Sequence, residues 1–299
     1  MLRTSAEIDA LHQSLSNWGR WGPDDQLGTL NLVTPAKRAA AAAAVRSGRA
    51  VSCARPLDTR PSADNASPAL HHMTGTATEG YGADYLALAP HGYATSHVDG
   101  LCHIFRHDGL YNGYPIEKVT AHGALELGIQ AWRDGVVSRG VLLDVPRLHG
   151  ARWLDAGHAI LPGELERCEA AEGVRVEEGD LLLVRTGRWA LREAEGPWDP
   201  RERLAGLQAA CLSWLRERGV AALGCDGVSD VVPSRVDGVR LPIHSVAIPT
   251  LGLPLLDNLD LERLAAACAE EARWSFLLCV APLILEGGTA SPVNPIAIF

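Results

Sequence analysis

Four short apolar segments constrain the fold of this 299-residue chain more than any other feature. They are GVLLDV (140–145), DLLLVRTG (180–187), VAALGCDG (220–227) and WSFLLCVAPLIL (274–285), and each ends at glycine, proline or a charged residue. Because their apolar residues are continuous rather than alternating, we expect strands that are covered on both faces. Helical segments lie between them, and this mixture predicts an α/β fold.

Three segments carry helix signals, at residues 34–48, 199–219 and 260–274. The first has threonine at its N-cap, proline at its first helical position and glycine at its end, and the second repeats this order with aspartate as the cap. Residues 55–69 are rich in proline, serine and aspartate and indicate a surface loop. No linker divides the chain, so we expect one domain over 1–299, with residues 1–60 as a helical extension packed on it.

Composition excludes several classes of protein. The net charge of −9 and the lack of a basic run argue against binding to nucleic acid or to an anionic membrane surface. Seven scattered cysteines without C-x-x-C spacing favour free thiols and a cytoplasmic protein. The longest apolar stretch, 276–285, is too short to cross a bilayer. Nucleotide-binding glycine motifs and the G-x-S-x-G motif of serine hydrolases are absent.

The segment HGYATSHVDGLCHIFRHDG (91–109) holds four of the eleven histidines and two aspartates. Alternate residues of a strand share a face, so His97 and Asp99 can point into one site that suits Zn²⁺ or Mn²⁺. An extended chain would carry His103 about 20 Å away, so it joins them only if the chain turns, which Gly100 permits. His91 shares the alternation and is a further candidate ligand.

The opposing interpretation is that these histidines are polar surface or hydrogen-bonded core residues. Six of the seven histidines outside this segment lack a neighbouring carboxylate or glycine frame in the sequence, and we do not expect them to be ligands: His12, His71, His72, His122, His149 and His158.

The histidine segment is similar to the H-x-G-T-H-x-D-x-P-x-H signature of the bacterial cyclase family, which includes arylformamidase and isatin hydrolase. Later segments resemble further motifs of that family in the same order: GDLLLVRTG (179–187), LGCDGVSD (223–230), PIHSVAIPTLGLPLLDNL (242–259) and TASPVNPIAIF (289–299). Residues 21–35, WGPDDQLGTLNLVTP, resemble the longer branch of the family. The resemblance implies a swivelling β/β/α fold, a barrel-like mixed sheet with outer helices, assembled as a homodimer or homotetramer.

The resemblance also implies roles for individual residues. It makes His97, Asp99, His244 and Asp257 metal ligands, with Asp99 able to bridge two metals, and it makes His103 the acid–base residue. The first ligand histidine of the signature falls on Tyr93, which leaves either one metal or a second metal held by His91. Substrate contacts are expected from Tyr93 and from Trp21 or Trp18. Asp226 is a candidate to orient a ligand histidine, or else it caps a turn.

The expected activity is hydrolysis of an amide, formamide, lactam or lactone in a small molecule, by water that a Zn²⁺ or Mn²⁺ ion activates. Two alternatives stay open. One is metal-dependent cyclisation or dehydration of a small carbonyl compound, and the other is a non-catalytic member of the fold that binds a metal or a small ligand.

Overall fold

A nine-stranded mixed sheet, curled into a half-barrel, forms the centre of the computed structural model, which describes residues 1–299. The strands are β1 Ala50–Ser52, β2 Leu70–Gly75, β3 Ala83–Ala87, β4 His97–Asp99, β5 Val119–Thr120, β6 Gly123–Ala124, β7 Val136–Asp144, β8 Ala159–Ile160, β9 Leu181–Arg185, β10 Gly206–Leu207, β11 Ala222–Cys225, β12 Leu255–Asp257, β13 Ser275–Val280, β14 Ala290–Pro292 and β15 Ile296–Ile298. The helices are α1 Ser5–Ser14, α2 Pro35–Ala43, α3 Val145–Leu148, α4 Pro162–Glu172, α5 Arg188–Glu195, α6 Cys211–Arg218, α7 Pro242–Val246 and α8 Glu262–Glu270.

The strand order of the main sheet is β1-β15-β13-β7-β9-β11-β12-β4-β14. Strands β7, β9, β11 and β12 run parallel, and the strands on both sides of this group are antiparallel. Helices α2 and α4 pack on β7, and α8 packs on β1. The α/β class and the barrel-like mixed sheet with outer helices are therefore confirmed.

The four apolar segments all form strands of this sheet, as β7, β9, β11 and β13. Strands β9, β11 and the second half of β7 are buried on both faces, as continuous apolarity predicts, whereas β13 alternates between buried and half-buried residues. Helix α2 begins where predicted, with the Thr34 hydroxyl accepting the Lys37 N–H at 3.1 Å. It ends at Ala43 rather than at Gly48.

The prediction of a helix over 199–219 is wrong for its first half. Only Cys211–Arg218 is helical, and Gly206–Leu207 pairs in parallel with β8. The backbone of Leu204 exchanges two hydrogen bonds with Val232. Strand pairing with distant residues satisfies the backbone of this segment and overrides its local helix signals.

The N-terminal residues lie against the body of the fold, where α1 packs on α7 and the Asn17 N–H donates to Thr250 O at 3.0 Å. The seven cysteines form no disulfide. None of the helices combines the length and the apolar composition that crossing a membrane requires.

Candidate metal centre

Strand pairing brings three of the predicted ligands to one face of the sheet. His97 opens β4 and pairs with Asp257, the last residue of the antiparallel neighbour β12. Directly paired residues project from the same face, and so does a residue two positions along the strand. His97, Asp99 and Asp257 therefore converge, and all three are buried.

His244 approaches from helix α7 and is held by Asp230. The Asp230 carboxylate accepts the N–H groups of Ile243 at 2.6 Å and His244 at 3.1 Å, and it lies 2.7 Å from the His244 Nδ1. Because a carboxylate can only accept, Nδ1 carries a proton, and Nε2 is the nitrogen that faces the centre. That Nε2 lies 3.3 Å from Asp257 Oδ2 and 3.7 Å from Asp99 Oδ2.

His91 and His97 approach the other oxygen of Asp99. The His91 Nδ1 lies 3.0 Å and the His97 Nε2 3.4 Å from Asp99 Oδ1. Their remaining nitrogens have partners, because His91 Nε2 bonds with Thr289 Oγ1 at 3.0 Å and His97 Nδ1 donates to Thr95 O at 2.9 Å. Each ring is thus oriented with one nitrogen facing Asp99.

Two donor groups result, and Asp99 belongs to both. One is His91, His97 and Asp99, and the other is Asp99, His244 and Asp257; within each, the donor atoms lie no more than 4.8 Å apart. Asp99 offers a different oxygen to each group, which is the arrangement of a carboxylate that bridges two ions. His91, the alternative to Tyr93, belongs to the first of these groups.

The environment of Asp99 fits a bound cation. Asp99 is 0% exposed, and neither of its carboxylate oxygens has a hydrogen-bond partner; the neighbouring His91 Nδ1 is also buried without one, since the two groups are not aligned for a hydrogen bond. A buried carboxylate without hydrogen bonds is costly unless it is paired or coordinates a metal. Imidazole nitrogens with carboxylate oxygens form a donor set that suits a divalent transition-metal ion.

The electrostatics of the centre also favour positive charge. Burial alone would raise the pKa of Asp99, but the imidazoles of His91 and His97 hold it well below its usual range. Burial would lower the pKa of His244, but the carboxylates of Asp257 and Asp230 raise it well above its ordinary value. The carboxylates therefore favour protonated imidazoles, whose positive charge offsets their own. A bound cation would offset the carboxylate charge in place of these protons.

His103 lies beside the two donor groups and belongs to neither. The backbone turns after Gly100, with the His103 N–H donating to Gly100 O at 3.0 Å, so the predicted turn is present. The His103 ring stacks on His91 with centroids 3.8 Å apart and lies 6.5 Å from the His244 ring. Burial lowers its pKa from 6.5 to about 4, so the imidazole is neutral at pH 7.

Tyr93 lines a cleft of about 160 Å³ that reaches His91 and is also bordered by Thr95 and Arg201. Its hydroxyl accepts a hydrogen bond from Arg240 at 3.2 Å. The expected substrate contact of Tyr93 remains a prediction, and the cleft is where it would be made.

The two tryptophans are placed differently. Trp18 donates from Nε1 to Pro249 O at 2.7 Å and lies under the Arg106 guanidinium. Trp21 packs against Arg20, whose guanidinium approaches Glu178 on the N-terminal side of β9. The centre lies instead at the C-terminal end of β12, so within one chain Trp21 is not brought to it.

Sequence reasoning missed the residue that orients His244. Asp226, the candidate for such a role, accepts N–H groups of Thr186, Gly187 and Arg188 and so caps the turn after β9. Asp230 contacts His244 instead. The segment LGCDGVSD contains both aspartates, and only the position of α7 distinguishes them.

A second omission concerns His149 and His158, which the sequence leaves without a carboxylate neighbour. The structure places both at 2.9 Å from one oxygen of Glu164. The three residues form a third donor group, separate from the centre described above.

Comparison with known proteins agrees with the fold. A family model described as "Putative cyclase" matches residues 26–230. A crystal structure described as a novel cyclase is 31% identical, with a TM-score of 0.87 over 96% of this chain and 99% of that one. A search of curated proteins finds no significant match.

Two more distant structures share the fold. Isatin hydrolase A from Ralstonia solanacearum is 19% identical, with a TM-score of 0.59 over 83% of this chain and 91% of its own. A predicted metal-dependent hydrolase from Bacillus stearothermophilus is 13% identical, with a TM-score of 0.53 over 83% and 97%. The family model covers more than half of the chain, and the 31% identical cyclase covers nearly all of it. This chain is a member of the cyclase family.

Proposed function

We propose that the protein is a metal-dependent hydrolase that cleaves an amide, formamide, lactam or lactone bond of a small molecule. The observation that carries the proposal is Asp99, a fully buried carboxylate whose two unpartnered oxygens face two separate sets of ligand side chains. Isatin hydrolases and proteins described as metal-dependent hydrolases share the fold, which supports the reaction class.

The ligands of the proposed centre are His91, His97, Asp99, His244 and Asp257. These residues would hold a Zn²⁺ or Mn²⁺ ion, which when bound would supply water with its pKa lowered from ~15.7 towards ~7 and a positive charge for a carbonyl oxygen. Asp230, Thr95 and Thr289 hold the three histidines with the correct nitrogen facing the centre.

His103 is the residue we assign to proton transfer. It is neutral at pH 7, its ring contacts His91, and its nitrogens make no hydrogen bond within the chain. A neutral imidazole beside the reacting carbonyl can accept a proton from the nucleophile and return it to the departing nitrogen or oxygen. The Tyr93 cleft is the proposed entrance for the substrate.

Elemental analysis and turnover test the proposal together. Protein purified without added metal should contain Zn²⁺ or Mn²⁺, and a chelator should abolish ring opening of lactam and lactone substrates until metal is restored. Products formed in ¹⁸O-labelled water should carry the label, whereas a cyclase or dehydratase would leave the product unlabelled. Full turnover in metal-free protein would refute the metal-dependent mechanism.

We also propose that the chain forms a homodimer or homotetramer. The β2–β3 hairpin exposes Leu70, Met73, Tyr85 and Leu86, each at least half exposed. Two-stranded hairpins are only marginally stable alone in water, and a patch of exposed large apolar residues marks an interaction site. Light scattering after gel filtration measures the mass, and a monomer at micromolar concentration would contradict this part.

A further inference from the structure

The third donor group lies in the segment that joins β7 to α4. His149 follows the last turn of α3, His158 precedes β8, and Glu164 lies in the first turn of α4. We propose that His149, His158 and Glu164 form a second metal site, which takes a divalent transition-metal ion such as Zn²⁺ and is independent of the proposed catalytic centre.

The three donor atoms already converge. The Nε2 atoms of His149 and His158 each lie 2.9 Å from Glu164 Oε1, and all three donors lie no more than 4.8 Å apart. Tetrahedral zinc with bonds of about 2.0–2.1 Å separates its ligand atoms by roughly 3.3 Å. The two imidazole–carboxylate distances therefore need to lengthen by only a few tenths of an ångström to admit the ion.

The carboxylate is fixed in the required orientation before an ion binds. Glu164 Oε2 accepts the Leu161 N–H at 3.0 Å, a bond that caps α4 and leaves Oε1 facing the two imidazoles. Glu164 forms no ion pair with any lysine or arginine, and its two imidazole partners are these histidines. A cation replacing the imidazole protons would meet no competing guanidinium or ammonium group.

Access and ligand chemistry point to the same class of ion. The side chains of His149 and His158 are 38% and 31% exposed, so the coordination positions left by three protein ligands open to solvent. Two imidazoles and one carboxylate are ligands of zinc and of the neighbouring late transition metals rather than of Ca²⁺ or Mg²⁺, which prefer oxygen.

The metal would close the chain between His149 and Glu164 into a loop. That loop is tied to the catalytic side of the fold, because His158 O accepts the Gly206 N–H at 3.1 Å and the next residue, Leu207, donates to Ser229 O at 2.8 Å. Ser229 in turn donates to Asp257 at 3.2 Å. We expect the role of the ion to be structural.

Zinc titration of chelator-stripped protein tests the site by stoichiometry. His149→Gln and His158→Gln should each bind one equivalent fewer than the wild type, measured by competition with a chromophoric chelator. His122→Gln, which alters an exposed histidine without a carboxylate neighbour, should bind the wild-type number. His97→Ala should lose zinc from the catalytic centre and keep the equivalent that His149→Gln loses, so failure of the proposed function would not imply failure of this site.

Ring ¹⁵N spectra of the wild type provide a readout that does not depend on any variant folding. In the metal-free protein, Nε2 of His149 and His158 donates to Glu164, so the proton resides on Nε2. Zinc must move it to Nδ1, and zinc added until every site is filled should therefore exchange the two nitrogen signals of each ring. Equal zinc binding by wild type and His149→Gln, or rings that zinc leaves unchanged, would overturn the proposal and leave a hydrogen-bonded triad.

Discussion

Asp230→Asn removes the group that orients His244 without touching the proposed ligand atoms. The Asp230 carboxylate accepts three hydrogen bonds, from the Ile243 N–H, the His244 N–H and the His244 ring. An asparagine keeps one acceptor oxygen and replaces the other with an NH₂ donor. At least one of the three donors then loses its partner in a site that is fully buried.

Asp230→Asn should lower both metal affinity and folding stability, and the two losses have separate causes. Loss of an orienting partner behind a histidine ligand typically weakens metal binding 10–100-fold, which corresponds to about 1.4–2.7 kcal/mol. A buried donor left unpaired costs a further ~1–3 kcal/mol of folding stability. The first effect is measured as metal affinity by competition with a chelator, and the second by urea denaturation of the metal-free protein.

Asp226→Asn is the matched control. Asp226 is an equally buried carboxylate that accepts backbone N–H groups, but its partners belong to the turn at Thr186–Arg188 rather than to a histidine. This variant should lose stability and keep the metal affinity of the wild type. Wild-type affinity in Asp230→Asn, or an equal loss of affinity in both variants, would show that the orienting contact does not matter.

Three further predictions concern separate parts of the chain. His91→Gln should lose the metal held by His91, His97 and Asp99 and keep the other, whereas Tyr93→Phe should bind both; metal counting distinguishes these results. Burial raises the pKa of Glu172 to about 8 from 4.5, so the folded state holds a proton that the unfolded state releases, and stability falls as pH rises from 4.5 to 8. Glu172→Gln should flatten that pH dependence in thermal melts and be about 1–3 kcal/mol more stable at pH 9; an unchanged pH profile would contradict the shift. Gly28→Ala should cost about 2–4 kcal/mol in denaturant melts, because Gly28 has φ of +59° and a Cβ atom would meet Gly252 O at 2.0 Å; a stability loss under about 0.5 kcal/mol would contradict this contact.

The features that sequence reasoning found are those that local patterns encode. Continuous apolarity located β7, β9, β11 and β13, although only β9 and β11 are buried along their whole length and β13 alternates between buried and half-buried residues. The pair His97 and Asp99 followed from the two-residue repeat of a strand. His244 and Asp257 needed the family resemblance, since nothing local connects them to a site more than 140 positions earlier in the chain.

The features that it missed depend on long-range packing. The helix signals before Cys211 are overridden by pairing with β8, which lies 47 residues away. Glu164 joins His149 and His158 only after α4 folds back beside α3. His91, rather than Tyr93, lies beside Asp99. The loop that carries both residues is held by side chains that lie outside the histidine segment.

That anchor explains how the loop tolerates the change at Tyr93. Asn258 follows Asp257 directly and has φ of +57°, a conformation that asparagine adopts more readily than most residues. Its Nδ2 donates to Gly92 O at 2.8 Å and to Thr95 O at 3.1 Å, and Arg188 donates to Tyr93 O at 2.6 Å.

The backbone of 92–95 is thus held through its own carbonyl oxygens. These are present whichever side chain occupies position 93. Thr95 O in turn accepts from the His97 ring, so the same loop positions a ligand on each side of it. The identity of the first ligand is then decided by which side chain the fixed backbone directs at Asp99. In this chain the side chain beside Asp99 is His91, and a signature that counts positions along the sequence does not identify it.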